Sequence, residues 1–171
     1  MRIVGGKFAG RDLTSPKDFR VRPTAEPVRA ALLDLLAADV PGARVLDLYA
    51  GTGALGLEAV SRGARSADFV EFRPTSLHAL RANIARLKLR ERTRVHVCDA
   101  LPFAGALAEG RYDLAFVDPP YGSRQLDRVI DHWRAGRFAR VLAAEHARAH
   151  AVPAGAQRLE VQDTVVTIYR L

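Results

Sequence analysis

The stretch Arg44-Val-Leu-Asp-Leu-Tyr-Ala-Gly-Thr-Gly-Ala-Leu-Gly56 constrains this chain more than any other. An apolar run passes directly into a glycine-rich turn that opens a helix, the pattern of a ligand-binding corner. Gly51, Gly53 and Gly56 let the backbone take unusual dihedrals and come close to a bound molecule. The free N–H groups of the new helix then face the anionic part of that molecule. As a bare pattern the stretch is G-x-G-x-x-G with an acid, Glu71, about 20 positions on, which is the spacing of dinucleotide sites.

Two details pull the reading away from a nicotinamide dinucleotide. Asp47 sits inside the strand end, where such proteins carry apolar residues and where a buried carboxylate needs a donor. A later apolar run, Leu114 to Val117, leads into Asp118-Pro119-Pro120-Tyr121. Together the motifs resemble those of S-adenosylmethionine (SAM) methyltransferases. Asp47-x-Tyr49-Ala50-Gly51-Thr52-Gly53 is similar to the first motif of that class, and Asp118 to Tyr121 to the motif of enzymes that methylate exocyclic amino groups.

The remaining periodicities fit one architecture. A helix follows Arg22-Pro23-Thr24, with Thr24 as its expected N-cap, Pro27 in its first turn, and Val28, Ala31, Leu32, Leu35 and Leu36 at helical spacing. Strands are expected at 44–49, 67–71, 95–97, 112–117 and 140–145, and helices from the glycine corner to Ser61, after Pro74, over 100–109 and over 125–134. Gln157–Val161 and Thr164–Tyr169 form a terminal hairpin around Gln162-Asp163. This alternation predicts an α/β fold, a Rossmann-like doubly wound and mostly parallel sheet, with a C-terminal antiparallel hairpin and a small N-terminal β-hairpin extension.

With 171 residues and 49% hydrophobic content, the chain suits one methyltransferase domain over 1–171, comprising a basic N-terminal extension (1–25) and a catalytic core (26–171). The net charge of +7 favours a polyanionic partner. Residues 1–30 hold seven basic side chains (Arg2, Lys7, Arg11, Lys17, Arg20, Arg22, Arg29) against three acids, which makes this segment a candidate nucleic-acid arm. One cysteine, no signal-peptide core and no run long enough for a membrane helix lead us to expect a soluble cytoplasmic protein that engages no membrane. Glu145, His146 and His150 lack the order of a metalloprotease motif, so no metal is expected. Cys98 reads as a small buried thiol, and a monomer is expected.

In an open sheet, ligands bind outside the carboxyl ends of the strands, where Asp47, Glu71, Asp99 and Asp118 all fall. The class resemblance implies that Glu71 accepts from the two ribose hydroxyls of SAM and that Asp99, with the backbone of Ala100, receives the adenine amino group. It implies further that Tyr49, Ala50, Gly51, Thr52 and Gly53 hold the methionine part, with Asp47 toward its ammonium. Pro119 and Pro120 fix a rigid loop, because neither can continue a sheet. Asp118 and the Pro119 carbonyl are candidate acceptors for the N–H groups of the target base, and the Tyr121 ring offers a stacking surface. Guanine presents two adjacent donors, N1–H and N2–H₂, which match the two oxygens of a carboxylate, so guanine N2 is the expected target.

Over nearly its full length the chain resembles the bacterial 16S ribosomal RNA guanine-N2 methyltransferase family. The matching residues are Arg2-Ile-Val-Gly-Gly-Lys7 with Gly10-Arg11, Arg22-Pro23-Thr24 with Val28-Arg29, Asp47 to Gly56 extended through Leu57-Glu58-Ala59 and Ser61-Arg62-Gly63, Asn83, Asp118 to Tyr121, and Asp163-Thr164. The resemblance implies that the hairpin bearing Lys7 and Arg11 contacts ribosomal RNA or the small ribosomal subunit, and that Arg22 and Thr24 lie near the active site. The family often carries Tyr-Gly before the terminal Asp-Thr, where Val161-Gln162 stands here. Rival readings are an amino-methyltransferase for DNA or another RNA acting on adenine N6, a noncatalytic RNA-binding assembly factor, and an NAD oxidoreductase.

Overall fold

A computed structural model describes residues 1–16, 24–120 and 122–171. The expectations for Arg22 and Tyr121 therefore fall outside the described residues. The elements run in the order α1 (Glu26–Leu35), β1 (Arg44–Leu48), α2 (Ala54–Ser61), β2 (Ser66–Val70), α3 (Pro74–Arg86), β3 (Thr93–His96), α4 (Ala100–Gly105), β4 (Tyr112–Val117), α5 (Gln125–Gly136), β5 (Ala139–Ala147), β6 (Gln157–Val161) and β7 (Thr164–Arg170). Seven strands form one sheet in the order β3-β2-β1-β4-β5-β7-β6. The first five are parallel to one another, and β7 runs antiparallel to both β5 and β6. The doubly wound sheet and its terminal hairpin are those expected from the sequence.

Strands β1 and β4 are apolar on both faces because both faces are covered, as a parallel sheet requires. Val45, Phe69, Leu114 and Phe116 point into a core capped by α1, α2 and α3, whereas Leu46, Leu48, Ala115 and Val117 meet α4 and α5. Strand order reverses between β1 and β4, so their carboxyl ends open the crevice in which a ligand is received.

Several boundaries differ from the sequence reading. Helix α4 stops at Gly105 rather than near 109. The N-cap of α1 is Ala25, with no side-chain cap; Thr24 lies one residue earlier and turns its hydroxyl elsewhere, while Pro27 does occupy the first turn. Asp99 caps α4 by accepting from Leu101 N at 3.0 Å.

The N-terminal segment forms a docked hairpin. Ile3 N donates to the Arg11 carbonyl, Gly10 N to that of Ile3 and Leu13 N to that of Met1, around an antiparallel Arg2–Asp12 bridge. Ile3 and Leu13 are buried in the core above α1 and α2, each adding roughly 1.5–3 kcal/mol. Beneath the arm lies a buried polar cluster. Glu58 on α2 accepts from Val4 N at 2.9 Å and Gly5 N at 2.6 Å, and pairs with Arg29 at 3.8 Å and Arg62 at 3.4 Å. Arg29 is fully buried and donates to the carbonyls of Thr24 (2.7 Å) and Arg2 (2.6 Å). Of the basic residues counted toward a nucleic-acid arm, Arg29 is therefore withdrawn from solvent to hold that arm in place. Gly6, at φ +77°, lies so close to Ser61 that a Cβ would sit 2.1 Å from its carbonyl oxygen.

Candidate active site

The glycine corner is built around Asp47. Its Oδ2 accepts from Gly56 N at 2.9 Å, tying the end of β1 to the first turn of α2. A Cβ at Gly56 would come within 2.5 Å of the Phe69 ring and 3.0 Å of Asp47 Oδ2, so this glycine serves close packing of helix on strand. Gly53 caps α2 in the left-handed region at φ 76°. Asp47 is only 4% exposed, and burial pushes its carboxyl up to about 7, opposed by the Gly56 N–H and reinforced by the negative Glu71. Among the described residues it has no cationic partner.

Glu71, buried at the carboxyl end of β2, grips the loops on either side of it. Oε2 accepts from Gly51 N at 2.9 Å, and Oε1 from Phe72 N and Arg73 N, each at 2.8 Å. Phe72 and Val97, which sequence reasoning did not single out, stand 54% and 55% exposed just beyond β2 and β3. Their exposure beside Glu71 and Asp99 is the signal that could have identified them. Tyr49 takes φ 62°, and its hydroxyl is buried without a hydrogen-bond partner among the described residues. Burial raises that phenol to about 12. Ala50 is half-buried, Thr52 and Ala100 are buried, and the backbone at Gly51 faces open space, since a Cβ there would come no closer than 4.0 Å to any atom. An unsatisfied buried hydroxyl leaves a polar group for a ligand to satisfy.

The Thr52 carbonyl also anchors the arm. Asn83 on α3 donates to the carbonyls of Thr52 and Thr14, both at 3.0 Å, and accepts from Thr14 N at 2.7 Å. The arm and the glycine loop are thereby joined through one side chain.

Asp118 follows β4 directly. Val117 pairs with Ala144, so Asp118 and Glu145 are the next residues along adjacent parallel strands. The Thr24 hydroxyl donates to Asp118 Oδ2 at 3.4 Å. Burial holds the Asp118 carboxyl well above the usual range, the negative Glu145 and Asp47 push it further, and Thr24 opposes them. The fold thus brings together Asp47, Asp118, Glu145 and Thr24, residues up to 121 positions apart. Glu145, considered from sequence only as part of an unconvincing metal trio, carried the same sign as the other acids: a carboxylate late in an apolar run.

Beyond Asp118, the Pro120 carbonyl accepts from Ser123 Oγ at 2.8 Å, while the Pro119 carbonyl makes no hydrogen bond among the described residues. A cavity of 270 Å³ opens here, lined by Pro119, Pro120, Leu126, Glu145, His146 and His150 among others. His150 Nε2 lies 2.9 Å from Asp127 Oδ1, and His146 Nε2 2.9 Å from Thr167 Oγ1. Burial lowers the His146 imidazole. Among the described residues, no group of three His, Cys, Asp or Glu side chains is placed to hold a metal ion, and no helix is long and apolar enough to cross a membrane.

Lys7 and Arg11 are exposed on the arm, with Lys7 at its tip beside Phe8. Phe8 N donates to Ser61 Oγ at the last residue of α2, so Lys7 sits at the far end of that helix from the glycine corner. The structure therefore groups Thr24 with Asp118 and leaves Lys7 apart.

The family model described as "Conserved hypothetical protein 95" matches residues 1–164, and the chain belongs to that family. Ribosomal RNA small subunit methyltransferase D of Escherichia coli (strain K12) is 38% identical over 131 residues, covering 77% of this chain and 65% of that enzyme. The structure of a hypothetical protein of Thermus thermophilus superposes with a TM-score of 0.86 at 32% identity, covering 100% of this chain and 99% of the other. The T. thermophilus 16S rRNA N2 methyltransferase RsmC, solved with AdoMet and guanosine, shares the fold at a TM-score of 0.70 and 23% identity, over 90% of this chain and 44% of that one. The seven-stranded sheet is thus shared with these proteins.

Proposed function

We propose that this member of the family transfers a methyl group from SAM to the exocyclic N2 of a guanine in small-subunit ribosomal RNA. The observation that carries the reading is the half-buried, proton-avid Asp118, near Asp47 of the glycine corner and followed directly by Pro119 and Pro120 in the lining of a 270 Å³ cavity. The activity named for the E. coli relative supports RNA methylation; guanine and its N2 rest on the chemistry of the site.

SAM supplies, when bound, a methyl group already activated on a sulfonium. The chain's own work is to bind and align. Asp47 and the Tyr49–Gly53 loop receive the amino-acid end, and Glu71 the ribose, with its bonds to Gly51, Phe72 and Arg73 holding the carboxylate in place. Asp99 and the Ala100 backbone face the adenine edge, and the exposed Phe72 and Val97 give its planar ring apolar surfaces. On the substrate side, Pro119 and Pro120 hold the loop rigid. Asp118 and the Pro119 carbonyl accept from the guanine amine and favour the pyramidal nitrogen that attacks the methyl group. A carboxyl raised in proton affinity is suited to take the proton that this nitrogen then releases. Tyr121 offers a ring for stacking, Thr24 orients Asp118, and Lys7, Arg11 and Arg22 contact RNA phosphates.

The test is to incubate the purified protein with radiolabelled SAM and, separately, unmodified small ribosomal subunits, deproteinised ribosomal RNA and duplex DNA, then to identify the labelled nucleoside. N2-methylguanosine from ribosomal material is expected. Label in DNA adenine, or SAM binding without transfer to any of the three, would overturn the substrate.

A further inference from the structure

The methyl-transfer site lies at the carboxyl ends of the strands, yet the densest positive charge lies elsewhere. Residues 81–94, from the second half of α3 to the edge strand β3, contain six basic residues and a single acid, Glu91. One of the six is structural: Arg92 donates to the Ala64 and Arg65 carbonyls. The other five, Arg81, Arg86, Lys88, Arg90 and Arg94, are exposed. Among the described residues none of them has an ion-pair partner. Elsewhere, exposed Arg148, Arg158 and Arg170 are each matched to an acid, whereas unmatched exposed arginines such as Arg11, Arg65, Arg134 and Arg140 are more widely spaced along the chain. Five unmatched cations on fourteen residues repel one another and are relieved by a polyanion.

The patch has shape as well as charge. A groove of 290 Å³ runs between α3 and β3, lined by Arg81, Ile84, Arg90, Thr93 and Val95. Thr93 and Val95 belong to the outermost strand of the sheet, so nothing in the sheet lies beyond them. The same helix also anchors the arm, through the buried Asn83 and its hydrogen bonds to Thr14.

We infer that this groove, with Arg81 and Arg90 in its lining, forms a second RNA-docking surface, which binds the phosphodiester backbone of the substrate at a distance from the methylated base. The inference rests on the RNA reading above and adds a place on the molecule. A backbone contact of this kind carries affinity and register without reading sequence, and its effect is electrostatic.

The test compares wild type with Arg81→Gln/Arg90→Gln and with a control of equal charge change, Arg134→Gln/Arg140→Gln, exposed at the other side of the sheet. Binding to deproteinised small-subunit ribosomal RNA is measured against salt, and methyl transfer to small subunits is followed in parallel. The double variant at the groove is expected to flatten the log–log salt slope by about 1.4 on single-stranded RNA, about 0.7 for each lost contact, and to raise KM with kcat unchanged. The control should move neither. Equal changes in both variants would reduce the effect to net charge and overturn the surface, as would no change in either. Because binding is read directly, wild type that binds RNA without methylating it overturns the proposed reaction and leaves the surface standing. Wild type that methylates while the groove variant keeps its slope overturns the surface alone.

Discussion

The two ends of α2 use the same device, a buried carboxylate accepting backbone N–H groups, under opposite electrostatic conditions. At the C-terminal end, Glu58 holds Val4 and Gly5 and is flanked by the guanidinium groups of Arg29 and Arg62. At the N-terminal end, Asp47 holds Gly56 with no cation among the described residues, and burial drives its carboxyl up to about 7. A compensated buried charge holds structure; an uncompensated one is a strained state that a ligand can relieve. The difference separates a carboxylate whose charge the chain itself balances from one that it leaves unbalanced.

The largest effect that would sharpen this division is on catalysis. Asp118→Asn keeps the shape of the side chain but removes its capacity to take a proton, and kcat should fall by about 10²- to 10⁴-fold with the melting temperature preserved. A wild-type rate in a methyl-transfer assay would remove Asp118 from the mechanism.

At the other end of α2, Glu58→Ala leaves Arg29 buried without its counter-ion and two arm N–H groups without an acceptor. A loss of about 3–5 kcal/mol in denaturant unfolding is expected. Glu58→Leu with Arg29→Met should recover only part of it, because Val4 N and Gly5 N remain unsatisfied. Full recovery would show that the pair contributes no docking of the arm.

Asp47→Asn should act in the opposite sense on stability. The folded carboxyl titrates near 7 against an ordinary 3.8, so between these values the native state keeps a proton that the unfolded chain has lost. This contribution therefore lowers stability as pH rises from about 4 to about 7 and is constant above. The asparagine, still able to accept from Gly56, should flatten that dependence and stabilise the ligand-free protein at pH 8 by up to about 4 kcal/mol, while weakening SAM binding. Melting curves at pH 5 and pH 8 decide it; unchanged pH dependence in the variant would place the titration elsewhere.

Thr24→Val gives the smallest effect. Loss of the 3.4 Å hydrogen bond should lower kcat about threefold to tenfold. Thr24 holds the Asp118 carboxyl down, so without it the carboxyl titrates higher, and the acid limb of the pH–rate profile should move to higher pH. An unmoved limb would separate Thr24 from Asp118.

The corner was readable because its causes are local. An apolar strand, glycines and an acid at a strand end are neighbours in sequence, and β1, α2, β4 and the terminal hairpin lie close to where periodicity put them. Thr24 was misassigned for an equally local reason: a threonine ahead of Glu26 and Pro27 has the pattern of an N-cap, and only the packed fold shows its hydroxyl directed at Asp118. Arg29 counted as a surface charge because helical spacing alone does not reveal that the arm closes over it. Asp99, read from its place after a strand as a ligand acceptor, also caps α4, a role that depends on where the next helix starts. The pairing of Asp118 with Glu145 required the register of two strands.

The arm's anchors also impose a schedule. Val4 and Gly5 wait for Glu58, Phe8 for Ser61, and Thr14 for Asn83, 69 positions later. At a synthesis rate of about 5–20 residues per second, roughly 3 to 14 seconds separate the appearance of Thr14 from that of its partner. Throughout that interval Ile3 and Leu13 have no complete surface to cover. Closure of the arm is thus a late event in the life of an early segment, and protection of residues 1–14 from a protease would time the moment at which α1, α2 and α3 have come together.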